Sequence, residues 1–537
     1  MTAPPRSAAA APPRPRARAG WRRRLGGAAL CAIVLAGCLA DPDASVVAPP
    51  PQAGVDVLET VADVRLEPET LALGARVSLV VAVPDTLRTL VLGLDDALDV
   101  RAVRVDGRPV EVLRDGDALG VPLGAGGVVV VDVEYGGTPA AGLYAGEAPG
   151  QRVVYTDAWP DRAAGWLPGV HHPSDPTMLD LTLDVPAAFD VAASGVAVSD
   201  SVAGGRRRAR FVLDRPAPVY TAAFAVGDFD VVAGGAAAGG AVPLRHVLLA
   251  GERGRAGRLG RTGAALDTLA ALFGPYPYAA YATVQVPMRY AGMENAAAPF
   301  LRADLYGADV PGRNAVEEVN FHELVHQWWG NDVVPAGWRD LWLSEGPATY
   351  VTAELYRRLD GDDAGRRHLV RMTREIGPED AARRLVPAAL DDPADVLSAT
   401  VYGKGGAVLH LLRLTLGDDA FWGALRRVRG AYADRPLSTA AFQRALERET
   451  GRDLGDVFRV WVYGEGLPAL RTRWDRPTRT LSWEVTGDGG TLAGVPFELY
   501  VRQGGAGRFV AAADGAVSLP GDEAPTVEPV GILLRVE

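Results

Sequence analysis

The sequence of 537 residues predicts a multidomain α+β protein. It consists of an N-terminal antiparallel β domain, a mainly helical central domain and a small C-terminal β domain. Three observations indicate this order: residues 57–246 follow a strand pattern, residues 261–463 have mainly helical periodicity, and strand alternation returns beyond residue 468. Because 48% of the residues are hydrophobic, the chain can support two or three domains with separate cores.

The first 37 residues resemble a bacterial lipoprotein signal peptide. Six arginines between Arg14 and Arg24 precede an apolar core at residues 28–36, and Leu35-Ala36-Gly37-Cys38 resembles a lipobox. We expect cleavage before Cys38, lipidation of its thiol, and a Pro- and Ala-rich tether at residues 38–55. The alternative is a cytosolic Arg-rich tail. The lipobox predicts a lipid-anchored, extracytoplasmic protein of the bacterial cell envelope, in the outer membrane if the organism has one.

The composition disfavours nucleic acid as a partner. The formal net charge is −11, and loss of residues 1–37, with seven arginines and no acids, leaves 48 basic residues (55 minus 7) against 66 acidic ones. Such a chain repels phosphate backbones and anionic membrane surfaces, so the lipid on Cys38 is the expected membrane contact. Both cysteines, Cys31 and Cys38, lie in this export segment, which predicts no disulfide. These patterns leave the oligomeric state open.

The two β domains are recognised by their strand and turn patterns. Within residues 56–246, Asp106-Gly107 and Asp115-Gly116 are typical hairpin turns, and residues 128–133 form a valine-rich run. Within residues 469–537, apolar residues alternate along two short segments. The first region therefore predicts the N-terminal antiparallel domain, and the second predicts the small C-terminal domain.

The central domain, expected at residues 247–468, contains two well-marked helices. The first runs from Arg261 to Phe273 and ends before a glycine. The second begins at Asn314 with a capping-box pattern and is closed by Gly330. Two acidic residues in its first turns, Glu317 and Glu318, are expected to face solvent, where they favour the helix dipole.

This second helix carries a metal-site motif. His322 and His326 lie four residues apart, so both imidazoles project from one face, while Glu323 points about 100° away. With Glu345 as third ligand, this donor set predicts one catalytic Zn²⁺ with a position left for water, whose pKa falls from about 16 to about 7. Glu323 is then the general base. The alternative is a pair of ordinary buried histidines.

Further motifs resemble the aminopeptidase N family of gluzincin metallopeptidases, which includes the leukotriene hydrolases. The segment that matches the exopeptidase signature of this family has alanine in place of the first glycine, and it consists of Ala291, Gly292, Met293, Glu294 and Asn295. The resemblance implies that residues 291–294 bind substrate and that Glu294 holds the free α-amino group. A segment at residues 401–406 resembles the tyrosine segment of the family, which makes Tyr402 the candidate oxyanion donor.

The resemblance, which covers roughly residues 150–470, implies a thermolysin-like catalytic domain with one Zn²⁺ per chain. It also implies an aminopeptidase that removes N-terminal residues from peptides by attack of metal-activated water, with free-amine peptides as partners. The alternatives are a zinc epoxide hydrolase of the leukotriene hydrolase type and a lipid-anchored binding protein with a vestigial site. The chain departs from the family pattern at Ser344 and Pro347, and Asp157 is only a weak counterpart of a substrate-binding glutamine.

Overall fold

The structure is a computed structural model that describes residues 51–148, 150–308 and 312–537. The predicted signal peptide and Cys38 lie outside the described residues, so cleavage and lipidation stay predictions. Among the helices within these three ranges, none has the length and apolar character required to cross a bilayer.

The N-terminal part of the described chain is built from strands β1 to β15. Their bounds are Asp56–Glu67, Ala72–Val83, Thr89–Gly93, Leu98–Val105, Arg108–Pro109, Leu113–Asp115, Ala118–Pro122, Gly127–Gly137, Leu143–Ala148, Gln151–Thr156, Pro176–Pro186, Asp190–Ala193, Val196–Ala203, Arg206–Pro218 and Phe224–Gly227.

Eight of these strands form one large sheet, in the order β13-β14-β11-β1-β2-β8-β4-β5. Neighbours pair antiparallel except β1 and β11, which are parallel. Along β1 the even alternation of Ala62, Val64 and Leu66 buries one face, as a two-residue period requires. The predicted hairpin turn at Asp106-Gly107 joins β4 to β5, and both residues have positive φ angles, 49° and 75°.

The central part contains strands β16 to β22 and helices α1 to α9. The strands are Phe229–Ala237, Val242–Leu249, Tyr281–Val286, Gly292–Met293, Phe300–Arg302, Val333–Pro335 and Arg435–Leu437. The helices are Thr262–Phe273, Ala315–His326, Trp342–Asp360, Asp362–Arg374, Pro378–Ala382, Gly405–Leu416, Asp418–Tyr432, Thr439–Thr450 and Gly455–Val457, with π-helical turns at Thr400–Lys404 and Phe458–Val462.

A five-stranded sheet in the order β16-β17-β18-β20-β19 supports the central helices. The expected domain boundary between residues 246 and 247 falls inside β17, which pairs with β18 of the same sheet. Strand β19, which carries Gly292 and Met293, lies at the edge of this sheet beside β20. The sheet therefore begins upstream of the boundary that composition indicates, and its far edge carries the exopeptidase-like segment.

Helix α2 carries the histidine motif, but its ends differ from the prediction. Asn314 is the N-cap residue, yet its side chain makes no capping hydrogen bond and instead donates from Nδ2 to the Arg258 carbonyl at 2.6 Å. The helix ends at His326, and the chain reaches Gly330, with φ 120°, through a tighter turn.

The expectation that the first-turn glutamates face solvent is wrong. Glu317 is 4% exposed and accepts hydrogen bonds from Arg261 at 2.5 and 2.9 Å. Glu318 accepts hydrogen bonds from Arg313 at 2.8 Å and from Arg371 at 2.5 Å. Arginines distant in sequence compensate both buried charges, which is the condition for keeping a carboxylate inside a protein.

Helix α3 and the first residue of helix α6 touch through their backbones. A Cβ atom at Gly346 would lie 3.0 Å from the carbonyl carbon of Gly405, and one at Gly405 would lie 3.1 Å from the Gly346 Cα. These glycines flank Glu345 and the Tyr402 segment, so a side chain at either position would push the two apart.

The C-terminal part contains strands β23 to β29, at Ala469–Asp475, Thr480–Thr486, Glu498–Gln503, Ala506–Ala511, Ala516–Ser518, Thr526–Pro529 and Arg535–Val536. They form a four-stranded sheet, β27-β24-β23-β29, and a three-stranded sheet, β26-β25-β28. Arg366 of α4 binds Glu498 of β25 at 2.7 Å, which ties this part to the helices. The predicted fold class, with β parts on both sides of a helical centre, is confirmed.

Candidate active site

Three side chains of the predicted metal site converge at the junction of α2 and α3. His322 Nε2 and Glu345 Oε2 lie 3.2 Å apart, His326 Nε2 and Glu345 Oε2 lie 3.4 Å apart, and the two imidazole Nε2 atoms lie 3.1 Å apart. All three residues are buried. The four-residue spacing aligns the histidines on α2, and α3 begins at Trp342, so that Glu345 in its first turn faces them.

These distances fit a zinc site. Zn²⁺ binds nitrogen and oxygen ligands at about 2.0–2.1 Å in a tetrahedron, which places neighbouring ligand atoms about 3.3–3.4 Å apart. The measured separations of 3.1, 3.2 and 3.4 Å lie close to that value. Two imidazoles and one carboxylate, all buried, also match the donor types of catalytic zinc sites.

The electrostatics of the site favour a cation. Burial lowers the pKa of His326, but three nearby carboxylates outweigh burial and raise it to about 10. These carboxylates belong to Glu345, Glu294 and Glu323. Burial raises the pKa of Glu345, but the imidazoles of His326 and His322 lower it by more, so the net shift of this pKa is downward. A pocket that stabilises charge on an imidazole in this way also stabilises a bound metal ion.

Glu323 lies beside the three ligands and is held against β19. Carboxylate and imidazole atoms of Glu323, Glu294 and His326 lie within 4.8 Å of one another. A Cβ at Gly292 would lie 2.2 Å from Glu323 Oε1 and 2.7 Å from Val319 Cγ1, so only glycine leaves room for the carboxylate. Burial raises the pKa of Glu323 well above its usual range, which suits a group that accepts a proton near neutral pH.

Glu294 presents a carboxylate without a complete set of partners. It is 5% exposed, and its buried Oε1 has no hydrogen-bond partner among the described residues. Burial raises the pKa of Glu294 to about 7, while His326 opposes this shift. Because buried carboxylates are normally paired, an unpartnered oxygen beside the metal ligands indicates a place for an incoming donor.

Two buried amides that sequence reasoning missed hold this segment in place. Asn331 Nδ2 donates to the Glu294 carbonyl at 2.7 Å, and Gln327 Nε2 donates to the same oxygen at 3.4 Å. Gln327 Oε1 also accepts from the backbone N–H of Ala297 at 2.8 Å. Both amides are fully buried. Their position shortly after the histidine motif was the sequence signal that could have identified them.

Ser344, the departure from the family pattern, supports a metal ligand. Its Oγ lies 3.0 Å from His326 Nδ1, and the Trp329 carbonyl lies 3.2 Å from the same nitrogen. A hydrogen bond at Nδ1 fixes the ring and leaves Nε2 toward Glu345. Pro347, the other departure from the family pattern, lies within α3, two residues after Glu345.

The remaining predicted residues line the same cleft. Tyr402 is half-buried, and its ring stacks on that of His322 with centroids 6.0 Å apart. Ala291, Gly292 and Met293 form the wall next to Glu294, together with Trp159 and Tyr290, which the sequence did not indicate. Asp157 is buried, accepts a hydrogen bond from Arg162 at 2.7 Å and raises the pKa of Glu294 electrostatically. The structure therefore brings all predicted site residues within the described chain to one cleft.

Parts of this chain match a family model and several known proteins. Residues 259–461 match the model of the peptidase family M1 domain. Aminopeptidase M1-B of Oryza sativa subsp. japonica is 26% identical over 443 residues, a match that covers 77% of this chain and 50% of the rice protein. Leukotriene A-4 hydrolase of Xenopus laevis is 26% identical over 220 residues, covering 38% of this chain and 35% of that protein. The chain therefore spans about half the length of the rice relative.

Solved structures extend the similarity beyond the central domain. An M1 zinc metallopeptidase from Deinococcus radiodurans, crystallised as a mutant with a Tyr-Ser-Ala substrate, has a TM-score of 0.68 and 28% identity, covering 78% of this chain and 96% of that one. The yeast leukotriene A-4 hydrolase structure, with a TM-score of 0.70 and 19% identity over 80% of this chain and 71% of that one, shares the fold. The predicted resemblance to the aminopeptidase N family is thereby confirmed, and it is most specific in residues 259–461, which match the peptidase family M1 domain.

Proposed function

We propose that this protein is a zinc-dependent aminopeptidase that removes N-terminal residues from peptides. The observation that carries the proposal is the position of Glu294. Its buried, unpartnered carboxylate oxygen lies beside Glu323 and His326, at one side of the histidine and glutamate ligands. An ammonium in such a pocket needs an ionic partner, and this carboxylate supplies one only to a substrate with a free N-terminus.

His322, His326 and Glu345 would hold one Zn²⁺ per chain. When bound, Zn²⁺ supplies Lewis acidity, which lowers the pKa of a water molecule and polarises a peptide carbonyl. Ser344 keeps His326 oriented through Nδ1, so the ligand atom continues to face the site.

The other side chains of the site bind the substrate, transfer the proton and stabilise the oxyanion. Glu294 binds the substrate ammonium and so positions the first peptide bond at the site. Glu323 takes a proton from the attacking water and later gives it to the leaving amine, a role that its raised pKa favours. Tyr402, stacked on His322 at the rim of the cleft, donates its O–H to the oxyanion that develops on the carbonyl. Gln327 and Asn331 keep the Glu294 segment fixed during these steps.

The test is cleavage of a panel of aminoacyl-p-nitroanilides beside matched N-acetylated substrates, with and without a chelator. We expect chelator-sensitive cleavage of the free-amine substrates only, restored by added Zn²⁺. Glu294→Gln should reduce cleavage of free-amine substrates, because the ammonium loses its ionic partner. Equal cleavage of blocked substrates would overturn the aminopeptidase assignment. Turnover of an epoxide substrate with no peptide cleavage would favour the hydrolase alternative, and stoichiometric zinc without any turnover would favour a binding role.

We also propose that the protein is lipid-anchored through Cys38 in the bacterial cell envelope, outside the cytoplasm, and in the outer membrane if the organism has one. The arginine-rich start, the apolar core at residues 28–36 and the lipobox-like segment before Cys38 support this location. Fractionation of cells that produce the full chain or its Cys38→Ala variant provides the test. We expect the native protein in the membrane fraction and the variant outside it. A cytosolic native protein with an intact N-terminus would contradict the proposal.

A further inference from the structure

A second cavity adjoins the active-site cleft at His322 and Tyr402. It encloses about 690 Å³, including the part open to solvent, and shares two residues, His322 and Tyr402, with the active-site cleft. Helices α2, α3 and α4 and the Tyr402 turn form its walls. The two shared residues therefore stand between the place that holds Glu294 and this cavity.

The position of the cavity relates it to the residue that follows the cleaved bond. This step depends on the proposed function, in which the substrate ammonium lies on Glu294 and the scissile carbonyl lies at the three ligands. The chain beyond the scissile bond then passes His322 and Tyr402, and the second substrate residue directs its side chain into the cavity. The walls of this cavity therefore decide which second residues the enzyme accepts.

Most of the cavity wall suits an aliphatic chain. Ala315 and Val319 of α2, Ala353 of α3 and Met372 of α4 contribute small or flexible apolar groups. Among the charged residues, Glu318 is paired with Arg313 at 2.8 Å and with Arg371 at 2.5 Å. Burial lowers the pKa of His368 to about 3, so this imidazole is neutral. Arg371, which also lines the cavity, is paired with Glu318 through its terminal nitrogen, whereas its buried Nε has no hydrogen-bond partner within the described chain.

Glu375, directly after α4, is different. It lines the cavity, its buried Oε2 has no hydrogen-bond partner within the described chain, and no ion pair of the described residues includes it. Burial raises its pKa to about 7. Glu375 is only partly buried, unlike Glu294, but its buried oxygen likewise lacks a hydrogen-bond partner in the described chain.

We propose that Glu375 makes this cavity select peptides whose second residue is lysine or arginine. The methylene groups of such a side chain pack against Val319, Ala353 and Met372, while the cationic end reaches the Glu375 carboxylate. A neutral side chain of equal length gains the same packing but leaves the carboxylate unpaired. The selected substrate class is thus peptides with a basic residue immediately after the cleaved bond.

The experiment compares kcat/KM for release of alanine from Ala-Lys-Ala and from Ala-norleucine-Ala, which has the same stem without the ammonium. At pH 8 we expect the lysine peptide to be preferred about tenfold to hundredfold, the range of one charge-assisted hydrogen bond. Glu375→Gln should abolish this ratio. Glu379→Gln, a change at an exposed glutamate nearby, is the matched control and should preserve it.

The outcomes separate this inference from the proposed function. Cleavage of both peptides at equal rates by the native protein would overturn the role of Glu375 while the aminopeptidase assignment stands. Equal rates for Ala-Lys-Ala and Ala-Gln-Ala would also overturn it, because a neutral donor would then serve as well as a cation. Failure to cleave any of these free-amine peptides, with zinc bound, would instead count against the proposed function.

Discussion

Two buried glutamates on helix α3 have opposite surroundings. Glu354 is 2% exposed and accepts hydrogen bonds from Arg357 at 2.7 Å, Arg358 at 2.6 Å and Arg413 at 3.1 Å. Glu345 is 4% exposed and meets only the imidazoles of His322 and His326, with no arginine in an ion pair among the described residues.

The difference shows how to distinguish a structural charge from a functional one. A buried carboxylate that the fold surrounds with guanidinium groups is already compensated and contributes to stability. Glu345 instead lies among groups that include two further carboxylates, Glu294 and Glu323, and this excess of negative charge favours an external cation. The environment, rather than burial or residue type, indicates which of the two binds metal.

The largest effect is expected at the proposed base. Glu323→Gln should retain zinc and lower kcat/KM by about 10³-fold, because the amide keeps the shape but cannot take a proton. Aminoacyl-p-nitroanilide kinetics and metal analysis of the same sample measure both quantities. Near-native turnover would show that another group is the base.

Single substitutions of the two α3 glutamates test the comparison between Glu345 and Glu354 directly. Glu354→Gln should keep zinc but lower the free energy of unfolding by about 3–5 kcal/mol, because three arginines lose a common partner. Glu345→Gln should lose stoichiometric zinc. Urea unfolding of the metal-free proteins, with metal analysis before chelation, gives the two results. If the Glu354 variant lost zinc while its free energy of unfolding stayed unchanged, Glu354 rather than Glu345 would be the metal ligand.

A smaller loss is expected from a single methyl group. Gly292→Ala should lower kcat/KM by about 10²-fold with zinc retained, because the new Cβ would lie 2.2 Å from Glu323 Oε1 and displace the carboxylate. The matched change Gly124→Ala, at an exposed glycine with open space where a Cβ would lie, controls for the substitution. Unchanged kinetics in the Gly292 variant would indicate that Glu323 tolerates displacement.

The smallest effect is expected at the support of a ligand. Ser344→Ala removes the group 3.0 Å from His326 Nδ1 and should weaken zinc affinity about tenfold, since the Trp329 carbonyl still contacts that nitrogen. Competition with a zinc-binding dye measures the affinity. A loss as large as that in Glu345→Gln would mean that Ser344 does more than orient the ring.

Sequence spacing predicted the parts of the site that depend on local geometry. His322 and His326 share a face because of the helical repeat, and Glu345 follows at the start of the next helix. The segment at residues 291–294 was found through its resemblance to a family motif. Its environment was not predictable, because the contact between Gly292 and Glu323 depends on how α2 packs on β19.

Errors arose where long-range partners decide the outcome. Glu317 and Glu318 have the positions of solvent-facing helix residues, but Arg261 and Arg371, which lie 56 and 53 residues away in sequence, make their burial favourable. The expected boundary after residue 246 falls inside β17, whose pairing with β18 joins segments on either side of that boundary and has no local sequence signal. Local patterns identify elements, whereas tertiary contacts decide which charges are buried.

The backbone contact between Gly346 and Gly405 has a consequence for how this enzyme can diversify. One glycine follows Glu345 directly, and the other lies three residues after Tyr402. Main-chain atoms therefore limit how close the segments that carry Glu345 and Tyr402, the proposed metal ligand and oxyanion donor, can approach. Residues such as Glu375 and Met372 can consequently change over evolutionary time, and with them the accepted substrates, while the catalytic spacing is inherited unaltered.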